Sequence, residues 1–213
     1  MTDWPGAAAW VPSPAKSLHQ LRQAAQQCRG CELYRDATQA VIGDGPLDAS
    51  LMLLGEQPGD KEDVAGEPFV GPAGQLLDRA LDEAGIAPES VFRTNVVKHF
   101  RHSGSRGKQR IHKSPSTWHV AACGPWMVAE LSLLRPRGVI VLGGTAGKAL
   151  YGASFRVGAN RGHLLDWPAD TGVEHPPEWV VPTTHPSAVL RSRARDHDLR
   201  ALVTDLSVAA RAL

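Results

Sequence analysis

The feature that most constrains this chain is Ser50-Leu51-Met52-Leu53-Leu54, a short apolar run stopped by Gly55-Glu56-Gln57-Pro58-Gly59-Asp60. A strand without polar alternation is buried on both faces, which is how strands inside a parallel sheet read. A parallel neighbour can be reached only by a long crossover, normally a helix. The chain supplies those pieces. Further strands are expected over residues 91–97, 138–142 and 179–183, and helices over 18–27, 75–84, 117–134 and 196–210. A short helix is expected to follow Gly143-Gly144-Thr145, and Gly124-Pro125 should kink or split the helix it interrupts. Strands alternating with helices define an α/β fold, here a three-layer α/β/α sandwich around a four-stranded parallel sheet. Residues 17–213 should form one domain, and residues 1–16, rich in Ala, Pro and Trp, a flexible N-terminal tail.

No apolar run approaches the roughly 18–20 residues of a membrane span, and no basic-then-apolar export signal opens the chain. A cytoplasmic protein with reduced cysteines is expected, and nothing demands more than a monomer. The net charge of +1 excludes a uniformly basic nucleic-acid binder. The charge is uneven, however. Lys98, Arg101, Arg106, Lys108, Arg110 and Lys113 fall in one stretch without an acid, and Arg191, Arg193 and Arg195 form a second cluster. Such clusters can bind phosphates. The first belongs to a long loop over 98–116, broken by Gly104, Gly107 and Pro115. Loops of that length are usually functional or disordered.

Open α/β sheets bind ligands beyond the carboxyl ends of their strands. The loop after the first strand carries Glu56, Gln57 and Asp60 and continues to Phe69 in a stretch shaped by Gly and Pro. Three cysteines are too odd a number for disulfides alone. Cys28-x-x-Cys31 has the spacing of a metal-ligand pair, and the fold can bring Cys123 to it. His99, His102, His112 and His119 are candidates for a fourth ligand. Spacing favours His119, four residues before Cys123 on one helix face. Zinc and an iron–sulfur cluster both suit three cysteines and a histidine.

Gly55-Glu56-Gln57-Pro58-Gly59-Asp60, Phe69-Val70-Gly71-Pro72-Ala73-Gly74, Thr94-Asn95-Val96-Val97-Lys98 and His185-Pro186-Ser187 occur in an order that resembles the uracil-DNA glycosylase superfamily. The CxxC and the distant cysteine are similar to its iron–sulfur branch, family 4. Gly107-Lys108-Gln109-Arg110-Ile111-His112-Lys113 resembles the insertion that marks UdgX proteins, which attach covalently to uracil-containing DNA. Gln109 stands where that insertion usually has an arginine. The resemblance implies a four-stranded parallel sheet between helical layers. It also implies a [4Fe-4S] cluster on Cys28, Cys31, His99 and Cys123, with His99 preferred over His119.

The resemblance further implies a mechanism. Uracil is flipped into a pocket, preferably from single-stranded DNA, stacks on Phe69 and is read by Asn95, with Gln57 and Asp60 lining the site. An amide donates to O4 and accepts from N3–H, a pairing that cytosine cannot meet. His185 stabilises charge on uracil O2. His112, assisted by Glu56 and Gln57, attacks C1′ and stays bonded. Lys108, Arg110, Lys113, Arg191 and Arg193 contact phosphates. Two other readings are a turnover iron–sulfur glycosylase using water, and a non-catalytic metal-containing DNA-binding module.

Overall fold

The computed structural model describes residues 4–107 and 109–213. Strands β1 (Leu51–Gly55), β2 (Val91–Asn95), β5 (Gly138–Leu142) and β7 (Trp179–Thr183) run parallel in the order β2-β1-β5-β7. A two-residue strand, β6 (Leu165–Asp166), pairs antiparallel with the outer side of β7. The sheet therefore has five strands and is mixed, where four parallel ones were expected. Two residues carry no readable periodicity, so β6 leaves no mark in the sequence.

Each strand divides its side chains between two layers. Met52, Leu54, Val139, Val141 and Val180 pack with α1 (Leu18–Gln26), α4 (Thr117–Leu134) and α5 (Gly144–Tyr151). Leu51, Leu53, Ile140, Leu142 and Val181 pack with α3 (Pro72–Glu83), α7 (Pro186–Arg191) and α8 (Arg195–Ala212). This alternation makes the apolar runs continuous, since both faces are covered. Two short helices, α2 (Asp60–Ala65) and α6 (Val157–Asn160), lie in connections.

Three expectations change. The stretch read as a long loop forms an antiparallel hairpin of β3 (His102–Arg106) and β4 (Gln109–His112), with His102 opposite His112. Its strands are polar and largely exposed, so no apolar alternation announces them. Helix α4 runs unbroken with Pro125 inside it. Near the backbone group that Pro125 cannot supply, the Ala122 carbonyl accepts from Ala7 N–H at 2.8 Å. Within the segment expected as a loose tail, Gly6 and Ala7 are thus held by backbone hydrogen bonds. Gly6 N–H also donates to Gly30 O at 3.0 Å, and Ala7 is 2 % exposed. Gly30, inside the CxxC, permits that approach, because a Cβ there would stand 2.6 Å from the Gly6 carbonyl.

Candidate active site

Four parallel strands put four carboxyl ends on one edge. β1 leaves at Gly55 beside Asn95, its partner on β2, and the pairing continues through Val97 N–H to Glu56 O at 3.1 Å. Gly55 has no space for a side chain: a Cβ would meet Asn95 Oδ1 at 2.3 Å and Phe69 Cζ at 2.7 Å. Its absence lets the amide and the ring meet over the strand end. Asn95 is 3 % exposed and Phe69 7 %. Phe69 sits at φ 60°, a left-handed conformation uncommon for an aromatic residue. Its ring faces His185 at 6.3 Å between centroids and 27° between planes.

His185 caps α7, with Pro186 at the first helical position. Ser187 N–H donates to His185 Nδ1 at 3.1 Å. A ring nitrogen that accepts has no proton, so the proton is assigned to Nε2. Burial, then the neighbouring Arg191 and His112, lowers the pKa of His185 to about 4. The ring is a neutral Nε2–H donor at ordinary pH.

The hairpin is strapped over this edge by side chains of the β1 loop. Gln57 Nε2 donates to Arg101 O at 3.1 Å and Lys113 O at 3.2 Å, and Gln57 Oε1 accepts from Arg101 N–H at 3.2 Å. Arg110 Nε meets Asp60 Oδ1 at 2.6 Å, and its Nη1 meets buried Asp63 at 2.7 Å. The same guanidinium lies 5.2 Å over the Phe100 ring. In this structure the side chains of Gln57, Asp60 and Arg110, which the resemblance assigns to the uracil pocket and to a phosphate, hold the hairpin and its flanks.

His112 ends β4, with 48 % of its side chain exposed. Its Nε2 lies 3.5 Å from Glu56 Oε1. Partial burial and Arg191 lower its pKa against the upward pull of Glu56. Glu56 Oε1 is buried without a hydrogen-bond partner, while Oε2 accepts from the Thr145 hydroxyl. Lys113, Arg191 and Arg193 are exposed, as phosphate contacts must be. Lys108 lies outside the described residues. Lys98, part of the same basic run, is buried: its Nζ is 2.6 Å from Glu130 and also donates to Thr94 Oγ1 and Asn95 O. A large cavity of about 1200 Å³ between the N-terminal segment, α4 and α5 reaches this edge only through Val96 and Thr145.

Cys28, Cys31 and Cys123 are free, buried and members of one core cluster. Burial pushes the Cys31 thiol up to about 11 and that of Cys123 to about 12, the latter against the pull of Lys98. Both also feel the charge of Cys28, and Lys98 N–H donates to Cys123 Sγ at 3.3 Å. Burial holds His99, 6 % exposed, at a pKa of about 4, so its ring keeps a free lone pair. Both ring nitrogens of His119 are occupied, Nδ1 by Ser116 and Nε2 by Glu32 at 2.9 Å. The fourth-ligand candidate favoured by spacing is therefore an unsuitable one. Among the described residues no three His, Cys, Asp or Glu side chains converge on a point that would hold a single ion. Three buried cysteines and a neutral buried histidine are donor types that an iron–sulfur cluster takes.

A sequence model of the uracil DNA glycosylase superfamily matches residues 42–207. This chain belongs to the uracil-DNA glycosylase superfamily. It is 34 % identical over 181 residues to a type-4 uracil-DNA glycosylase of Thermotoga maritima, covering 84 % of this chain and 85 % of that one. A type-4 uracil-DNA glycosylase of Pyrobaculum aerophilum is 34 % identical over 177 residues, covering 83 % and 86 %. One of Saccharolobus solfataricus is 31 % identical over 179 residues, covering 82 % and 77 %. The superfamily motifs quoted above all fall in or beside the matched region. Sequence reasoning missed three polar partners there. Glu130 had a signal, as the one acid in a largely apolar helix. Asp63 and Thr145 had none, since their partners, Arg110 and Glu56, lie far away along the chain.

Proposed function

We propose that this chain recognises uracil in DNA, cleaves its N-glycosidic bond and retains the deoxyribose C1′ on His112, as a UdgX-like member of the superfamily. One observation carries this reading: His112 stands 3.5 Å from an otherwise unbonded, buried oxygen of Glu56, beside the edge that holds Phe69, Asn95 and His185. A flipped uracil stacks on Phe69, and the Asn95 amide reads O4 and N3–H. As the C1′–N1 bond breaks, its electron pair leaves with uracil, and His185 Nε2–H donates to O2 where the charge develops. The lone pair of one His112 ring nitrogen forms the new bond to C1′, and the proton on the other ring nitrogen passes to Glu56. Uracil takes its proton from water. A neutral alkylated imidazole is a poor leaving group, so the DNA stays attached.

Lys113, Arg191 and Arg193, with Lys108, hold the phosphates without reading sequence. Single strands are the preferred substrate, because flipping from them costs less. Cys28, Cys31, His99 and Cys123 would hold a [4Fe-4S] cluster, which would supply a cross-link between the turn after α1, α4 and the loop after β2. A brown protein that loses colour when Cys28 is changed to Ser supports that ligand set.

The names of the relatives favour a second reading, a type-4 glycosylase that turns over with water. His112→Ala separates the two. Under the proposed reading the variant loses all SDS-resistant attachment to uracil-containing DNA. If uracil release and product turnover match the unmodified protein in every respect, His112 is only a DNA contact.

A further inference from the structure

We infer that Thr145 is a positioning residue for the capture step: its hydroxyl pins one oxygen of Glu56 so that the other is left facing His112. The inference deepens the reading of His112 as nucleophile and rests on it. Thr145 lies in the first turn of α5, and that turn is stitched to the site. Gly143 N–H donates to Thr183 O at 2.9 Å, and Gly143, at φ 92°, passes so close to His185 that a Cβ would sit 3.0 Å from the His185 Cβ. From this anchored position Thr145 Oγ1–H donates to Glu56 Oε2. Glu56 Oε1 makes no hydrogen bond among the described residues and lies 3.5 Å from His112 Nε2.

A glutamate side chain has many rotamers, and fixing one of them is costly unless something holds it. Thr145 does so from the side away from the reacting atoms. Once the C1′–N1 pair has left with uracil and the lone pair of His112 bonds to the electron-poor C1′, the ring carries one proton too many. Glu56 Oε1 is the oxygen left to take it. The charged and titratable groups around His112 are Glu56 on the β1 loop, Arg191 and His185 on or beside α7, and His102 across the hairpin. Thr145 touches only the first of these directly.

The test compares the full-length protein with Thr145→Val, which keeps the shape and removes the hydroxyl, and with Thr145→Ser, which restores it. Uracil release and SDS-resistant attachment are timed separately under single-turnover conditions on a uracil-containing single strand. Attachment should slow in Thr145→Val by about tenfold more than uracil release, the scale of one lost hydrogen bond. Thr145→Ser should recover most of the loss. Equal slowing of both steps without recovery in Thr145→Ser, or no slowing of either, overturns the inference. A second readout does not depend on the reaction: the His112 titration followed by NMR in the free protein. A carboxylate released by Thr145→Val swings away, so the His112 pKa should fall, and an unmoved titration overturns the inference. If the unmodified protein releases uracil but never attaches, the covalent reading fails by itself, and the NMR titration decides whether Thr145 orients Glu56.

Discussion

At the scale of single residues, three groups cluster at the strand ends while three others hold the neighbouring hairpin. Asn95, Phe69 and His185 face one another across the strand ends. Gln57, Asp60 and Arg110 are committed to the hairpin. His185→Ala should lower the rate of uracil release by about 10²–10³-fold, the effect of losing one preorganised donor to a developing anion, as single-turnover kinetics would show. The pH dependence of capture follows from His112. Its pKa is depressed below the ordinary 6.5, so the ring is neutral throughout the range above that value. Attachment should be flat with pH from 7 upward and decline only as pH falls through a midpoint below about 6.5. A midpoint above it would mean that Glu56 dominates the ring and holds it protonated.

At the scale of elements, the β3–β4 hairpin determines where His112 stands, and its two straps can be tested apart from DNA contact. Phosphate contacts release counterions, so losing one lowers the slope of log affinity against log salt by about 0.7 on a single strand. Arg191→Ala and Arg193→Ala should each flatten that slope. Arg110→Met should leave it unchanged while slowing attachment and exposing the hairpin to limited proteolysis, because Arg110 already spends its charge on Asp60 and Asp63. The hairpin was also the element least legible in the sequence. Its residues, HSGSR and QRIH, lack apolar alternation, and it is held by side chains some fifty positions away. By contrast β1, β5 and β7 were legible because each is almost wholly apolar and is followed closely by Gly or by His-Pro. β2 was legible at its start and ends two residues sooner than its apolar pattern suggests, at Asn95.

At the scale of the molecule, a buried ion pair ties the layers to the site. Lys98 and Glu130 are 1 % and 0 % exposed, and Lys98 also holds the Asn95 carbonyl. Glu130→Ala strands that ammonium and should cost about 3–5 kcal/mol, measurable by denaturant unfolding. The CxxC pointed to Cys28 and Cys31, which the fold buries with Cys123 in one core, whereas the spacing that favours His119 gives no sign that Ser116 and Glu32 occupy its ring. The docking of Gly6 and Ala7 against Gly30 and Ala122 was hidden too, because backbone groups carry those bonds and any sequence offers them. The central claim concerns what the assembled site does with a uracil. A labelled single strand containing one uracil, incubated with the protein, boiled in SDS and run on a denaturing gel, tests it most directly. The proposed reading predicts a slow band that requires both uracil and His112. An abasic product with no such band would contradict it.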